Sequence, residues 1–268
     1  MINVPMKSSG AVNKQTIMTI YNKNIQGPKT SQNIGSLNRA HINYPSNQNT
    51  NTSSATSQSI DPVVNSDVSK TSISTKTVPA LTKQIQKGQK VPINSHGSLT
   101  SIQARLGWNV NNPSCDVDVS AFLLNQSGKV IGDDWFVFYG QEVSPDGSTK
   151  FSTDTGQDRE IISINFEKLN SSVSKIVFVL TINEAFVKHL NFSMLKDAYI
   201  RIMDNTNTEI VSFKMEEYYS NVTSMMIGEV YLHKGSWKFN AFGNGVARDL
   251  AGLCELYGVQ VVWYESIH

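Results

Sequence analysis

Residues 115–124 read CDVDVSAFLL. Asp116 and Asp118 alternate with Val117 and Val119, and the chain then turns almost wholly apolar. Aspartate is depleted in strands because its short side chain competes for the backbone. A strand that enters a core with two carboxylates on one face therefore calls for a reason. The two-residue period sets these two roughly 6.5–7 Å apart at Cα.

Around this segment, strand-like runs recur at short intervals: KGQKVPI (87–93), LTSIQARLGW (99–108), VDVSAFLL (117–124), WFVFY (135–139) and IISINF (161–166). KIVFVLTI (175–182), AYIRIMD (198–204), EIVSFKM (209–215), MMIGEVYLH (225–233) and WKFNAFG (237–243) follow. Many alternate apolar and polar residues, as half-buried antiparallel strands do. Turn signals separate them at Gln126–Gly128, Pro145–Gly147, Asn205–Asn207 and Lys234-Gly235. The pattern predicts an all-β fold, an antiparallel β-sandwich. One C-terminal helix is expected over 246–257, where Val246, Leu250, Leu253, Cys254 and Tyr257 share a face and Gly258 follows as a stop. GNG (243–245) reads as the turn into that helix, and NEAFVKHL (183–190) as a helical turn or short helix.

Residues 1–78 differ in kind, being rich in Ser, Thr, Asn and Gln with scattered Lys. Ordering backbone costs ~1–2 kcal/mol per residue, and this segment offers little apolar area in return. It is expected to be a long disordered N-terminal tail, with the folded domain over 79–268. QTIMTIY (15–21) is the exception, either a strand or docking motif or an isolated apolar spot. Charge is divided likewise. Residues 1–100 hold ten Lys/Arg against two Asp/Glu, a net of +8, and residues 101–268 thirteen against twenty, a net of −7. The spread lysines and sparse aromatics weigh against nucleic acid. An anionic membrane surface, touched peripherally, or the chain's own acidic domain fits the tail equally well.

The two cysteines, Cys115 and Cys254, do not form a disulfide framework and are expected reduced and buried. The N-terminus lacks a continuous apolar region and no run reaches 18 apolar residues, so a cytoplasmic protein is expected, with membrane association only through the tail. No phosphate loop, Ser-His-Asp signature or zinc motif occurs; of the five histidines, His41 lies in the tail, His268 is the last residue, and His189 and His233 read as structural. Trp108, Trp135, Trp237 and Trp263 are too scattered for a sugar platform and read as core and rim residues. No enzyme is expected.

The acids are more informative. From Asp116 to Glu160 there are nine Asp/Glu and three Lys/Arg, a net of −6. They gather as Asp116 and Asp118, Asp133 and Asp134, and Asp154, Asp158 and Glu160. Two unit charges at about 4 Å repel by ~4 kcal/mol at an effective dielectric of 20. A cation relieving that repulsion would be hard, because the ligands are oxygens; calcium tolerates irregular loops better than magnesium does. From physics alone, a solvated acidic surface and a calcium site remain alternatives.

The sequence resembles the TerD family over roughly residues 80–262. The resemblance is carried by QKGQKVPI, LGW (106–108), DVDVSAFLLNQSGKV (116–130), FVFYG (136–140), SPDGS (144–148), KIVFVLTI and GEVYLHKGSWKFNAFGNGVARDLAGLCELYGV (228–259). It implies the calcium-binding β-sandwich of bacterial tellurium-resistance and general stress proteins, working with protein partners in a stress-response assembly. Asp116 and Asp118 match the family's paired aspartates. Asp133 or Asp134 stands near its next acidic position, although the residue directly before the Phe-x-Phe-Tyr strand, often Asp in relatives, is Trp135. STDTGQDRE (152–160) is shorter than the relatives' loop; Asp154, Asp158 and Glu160 take its acidic places, and Arg159 stands where relatives have an acid. One calcium site, weakened or lost, is therefore the expectation. The alternative is a metal-free structural or adaptor protein that docks by its sandwich, with the basic tail as tether.

Overall fold

The computed structural model describes residues 75–93 and 99–260. QTIMTIY, most of the predicted tail and Trp263 lie outside the described residues. Two antiparallel sheets face each other. The first is ordered β1-β11-β10-β7-β3-β4, from β1 (Lys90–Pro92), β11 (Ser236–Val246), β10 (Ser224–His233), β7 (Lys175–Ile182), β3 (Val117–Leu124) and β4 (Phe136–Val137). The second is ordered β5-β6-β2-β8-β9, from β5 (Thr149–Thr153), β6 (Glu160–Asn165), β2 (Ser101–Val110), β8 (Leu195–Asp204) and β9 (Glu209–Lys214). This is the all-β sandwich the alternation implies.

The inner layer is apolar. On β2, buried Ile102, Ala104 and Leu106 alternate with half-buried Ser101, Gln103 and Arg105. β3 and β7 are instead buried on both faces, which explains their continuous apolar runs. The outer face of the first sheet is covered by α1 (Leu250–Tyr257): the Tyr257 ring lies 4.5 Å from that of Phe122, which stacks on Phe136 at 4.4 Å. Phe138 extends the stack, 4.6 Å from Phe136.

The helix departs from the expected bounds. It begins at Leu250, because Asp249 has extended backbone and caps it by accepting from the Gly252 N–H at 2.9 Å. Residues 243–246 turn nothing; they continue β11, paired with Met225 and Met226 and with Ser224. Gly245 is required there, since a Cβ would stand 2.5 Å from a Val222 methyl. The C-terminal stop is as expected, with Gly258 at φ 85°. Residues 183–189 form turns, with Glu184 and His189 at positive φ.

The hairpin at Lys234-Gly235 uses two positive-φ residues, 50° and 74°, the geometry whose twist suits a two-residue connection. Cys115 and Cys254 are both free thiols and buried. Trp108 and Trp135 are buried and Trp237 packs on Phe166 at 5.0 Å.

Candidate functional site

β3 places Asp118, Ser120 and Phe122 on the face toward α1, and Val117, Val119 and Ala121 on the other, by the strand period. Asp118 is opposite Thr181 of β7, and the ladder runs on past the strand through Asn183 N–H to the Asp116 carbonyl at 2.8 Å. The Asn183 amide also donates to Asp116 Oδ2 at 3.3 Å. The paired aspartates therefore stand at the end of the first sheet, Asp118 as the second residue of β3 and Asp116 one residue before the strand.

A small cavity of about 20 Å³ opens here, lined by Asp118, Ser120, Tyr139, Thr181, Asn183 and Asp249 among others. That is room for about one water-sized occupant. Ser120, only 3% exposed, has a hydroxyl with no hydrogen-bond partner among the described residues.

Glu160 reaches this end from the second sheet. β4 pairs only with Ala121 and Phe122 and stops short of Val119, and Glu160 Oε2 accepts the Val119 N–H at 2.6 Å. Its burial, then the negative charge of Asp118, hold its carboxyl well above the usual carboxylate range, with Asp116 adding to the effect. The Val119 N–H and Arg159 act the other way. Burial first, then Asp118, Asp116 and Glu160, also push the Tyr139 phenol far up. Asp116, Asp118, Glu160 and Tyr139 thus form one electrostatic unit.

Of the other predicted acids, Asp133, Asp154 and Asp158 are engaged elsewhere through their side chains, and Asp134 through its main-chain carbonyl. Asp158 is fully buried, and Arg201 grips it with two bonds, Nη2 to Oδ2 at 2.6 Å and Nε to Oδ1 at 3.0 Å. Tyr199 donates its hydroxyl to Oδ1 at 2.9 Å, and Arg105 stands 3.7 Å away. Burial, followed by the charge of Asp158, pushes the Tyr199 phenol far up. Asp154 Oδ2 accepts the Asp158 N–H at 2.9 Å, closing the short loop on itself. Arg159 points back over the Trp108 ring, 5.6 Å from its centroid, and donates to the Trp108 carbonyl at 2.5 Å. Asp133 accepts the Gln260 N–H at 2.8 Å beyond the helix, and the Asp134 carbonyl accepts from Gln141 at 2.6 Å.

Of the seven predicted ligands, then, the fold sets Asp116, Asp118 and Glu160 within electrostatic reach of one another. Among the described residues no three Asp, Glu, His or Cys side chains converge as a ready-made metal cage. Sequence reasoning missed Ser120 and Tyr139. Ser120 could have been found, since it is two residues from Asp118 and so shares its face. Tyr139 could not, because only the packing of the segment after β4 brings it across.

An antiparallel sandwich with a helix over one sheet and an acidic end, where one sheet lends a carboxylate to the edge of the other, defines the class. The TerD domain matches residues 81–257, and the chain belongs to that family. It is 37% identical over 185 residues to tellurium resistance protein TerD of Serratia marcescens, covering 65% of this chain and 96% of that protein. It is 35% identical over 192 residues to general stress protein 16U of Bacillus subtilis, covering 68% and 100%. Among solved structures, a Streptomyces coelicolor homologue of telluride resistance protein TerD matches with a TM-score of 0.45 at 16% identity, covering 58% of this chain and 95% of that one. This is a tellurium-resistance and stress-response family. Among the described residues no helix is long and apolar enough to cross a membrane.

Proposed function

We propose that this chain is a non-enzymatic interaction module of the stress response, and that its acidic end binds one calcium ion through Asp116, Asp118 and Glu160. The observation that carries the reading is the buried carboxylate of Glu160 beside Asp118 and Asp116. Two further anions next to a buried one call for a compensating proton or cation. The unsatisfied Ser120 hydroxyl in the adjoining cavity is a further oxygen of the kind calcium accepts. Calcium takes six to eight oxygens, so main-chain and water oxygens would complete the set. The ion would neutralise this end and tie the two sheets together there, fixing the surface offered to a protein partner. Asp133, Asp154 and Asp158 are left out of that proposed site, because the carboxylate of each already accepts a hydrogen bond elsewhere in the fold. The chain would act in the cytoplasm, with any membrane contact peripheral.

A thermal melt in calcium and in chelator tests this. Ion at 100 times its dissociation constant adds about 2.7 kcal/mol to the folded state, a shift of several degrees for a domain of this size. Asp116→Asn with Asp118→Asn should remove the shift while leaving the chelator melt little changed. A second reading, a metal-free docking module, is favoured by the absence of a convergent acidic cage among the described residues. Equal melts in millimolar calcium and in chelator would select it.

A further inference from the structure

The loop between β5 and β6 holds a cation of another kind. Lys76 sends its ammonium into this loop, where the main-chain carbonyls of Asp154 and Gly156 accept from Nζ at 3.0 and 2.9 Å and that of Asp158 accepts as well. A primary ammonium has three N–H donors and no acceptor. Three carbonyls from alternate residues of one turn match it donor for donor.

This cradle is built, not incidental. Asp154 Oδ2 holds the Asp158 N–H, the Asp154 N–H donates to the Arg159 carbonyl at 2.8 Å, and the Arg159 N–H donates to the Leu106 carbonyl at 2.8 Å. Arg201 and Tyr199 fix Asp158 from below. The lysine is also fixed at its own backbone. Asn109, 3% exposed, accepts the Lys76 N–H and donates to the Lys76 carbonyl, both at 2.9 Å. One buried amide thus pairs with that residue on both sides, as a neighbouring strand would.

We propose that residues 154–158 form a carbonyl cradle for a primary ammonium, occupied in cis by Lys76, and that this contact latches the segment at 75–78 to the sandwich. The proposal does not depend on calcium at Asp116 and Asp118.

The test uses the full chain in chelator, so that the calcium reading cannot influence it. Lys76→Ala should lower the melting temperature by several degrees and speed amide exchange at Gly156–Asp158. Methylammonium chloride should recover part of both losses in the variant and leave the wild type unchanged. Tetramethylammonium, a cation without N–H donors, should recover neither. Lys76→Arg should resemble Lys76→Ala, since no nitrogen of a planar guanidinium carries three N–H groups to reach three carbonyls from one point. The proposal is overturned if Lys76→Ala melts like the wild type, or if the two ammonium salts act alike. It is equally overturned if calcium, added in place of chelator, restores the loop of the Lys76→Ala variant better than methylammonium does.

Discussion

Arg201 holds both oxygens of Asp158, at 2.6 and 3.0 Å, in a setting where the aspartate side chain is 1% exposed and the arginine 12%. This pairing converts an acid that reads as a metal ligand into a fixed strut between β8 and the loop before β6. Removing one partner of a buried pair costs about 3–5 kcal/mol, because the other charge is stranded. Asp158→Ala should lose stability on that scale in urea unfolding. Adding Arg201→Met should recover part of the loss, and an additive double variant would refute the coupling.

Tyr199 lies across Gly107. A Cβ on Gly107 would stand 2.3 Å from the Tyr199 hydroxyl oxygen and 2.5 Å from its ring edge. Gly107→Ala must displace the ring that donates to Asp158. Overpacking of this kind costs about 1–3 kcal/mol. With Tyr199→Ala as background, the same substitution should cost much less, as a double-mutant cycle by chemical denaturation would show.

Asp146 organises the turn before β5. It accepts from Ser144 Oγ at 2.7 Å, from the Ser148 N–H at 2.9 Å and from the Asn170 N–H at 2.8 Å. Burial alone would raise its carboxyl, but these donors hold it below the ordinary aspartate value. A depressed carboxylate contributes stability above its unfolded pKa and loses it as pH falls through the folded one. Asp146→Asn should therefore be less stable than the wild type at neutral pH, by on the order of 1 kcal/mol. Thermal melts across pH should show the gap closing below about pH 4.

The end of α1 depends on Gly258. Its φ of 85° lets its N–H reach the Cys254 and Glu255 carbonyls, while Lys129 Nζ donates to the Leu256 carbonyl at 2.6 Å. Gly258→Ala should cost about 1 kcal/mol in left-handed strain. The loss should appear first as faster amide exchange in the last helical turn.

How far the sequence reached differs by element. VDVSAFLL and KIVFVLTI coincide with β3 and β7 to the residue, because strands buried on both faces write themselves as unbroken apolar runs. β5, Thr149–Thr153, was not legible. It is a five-residue edge strand with only Thr149 and Phe151 buried, and its polar remainder reads as loop. The helix start was misplaced because Val246 fits the helical spacing yet pairs with Ser224 in β11. Periodicity cannot rank those two partners.

For the site, the two-residue period of a strand alone put Asp116 beside Asp118. Alternation and turn signals predicted the sandwich, and the charge count its acidic half. Only the tertiary structure brought Glu160 from the other sheet to the edge of β3, turned Asp158 inward onto Arg201, and set Lys76 against three carbonyls more than seventy residues away. Period and hydrophobicity are local properties, written in the order and polarity of neighbouring side chains. Which charge meets which across two packed sheets follows from register and loop closure, and no single segment contains those.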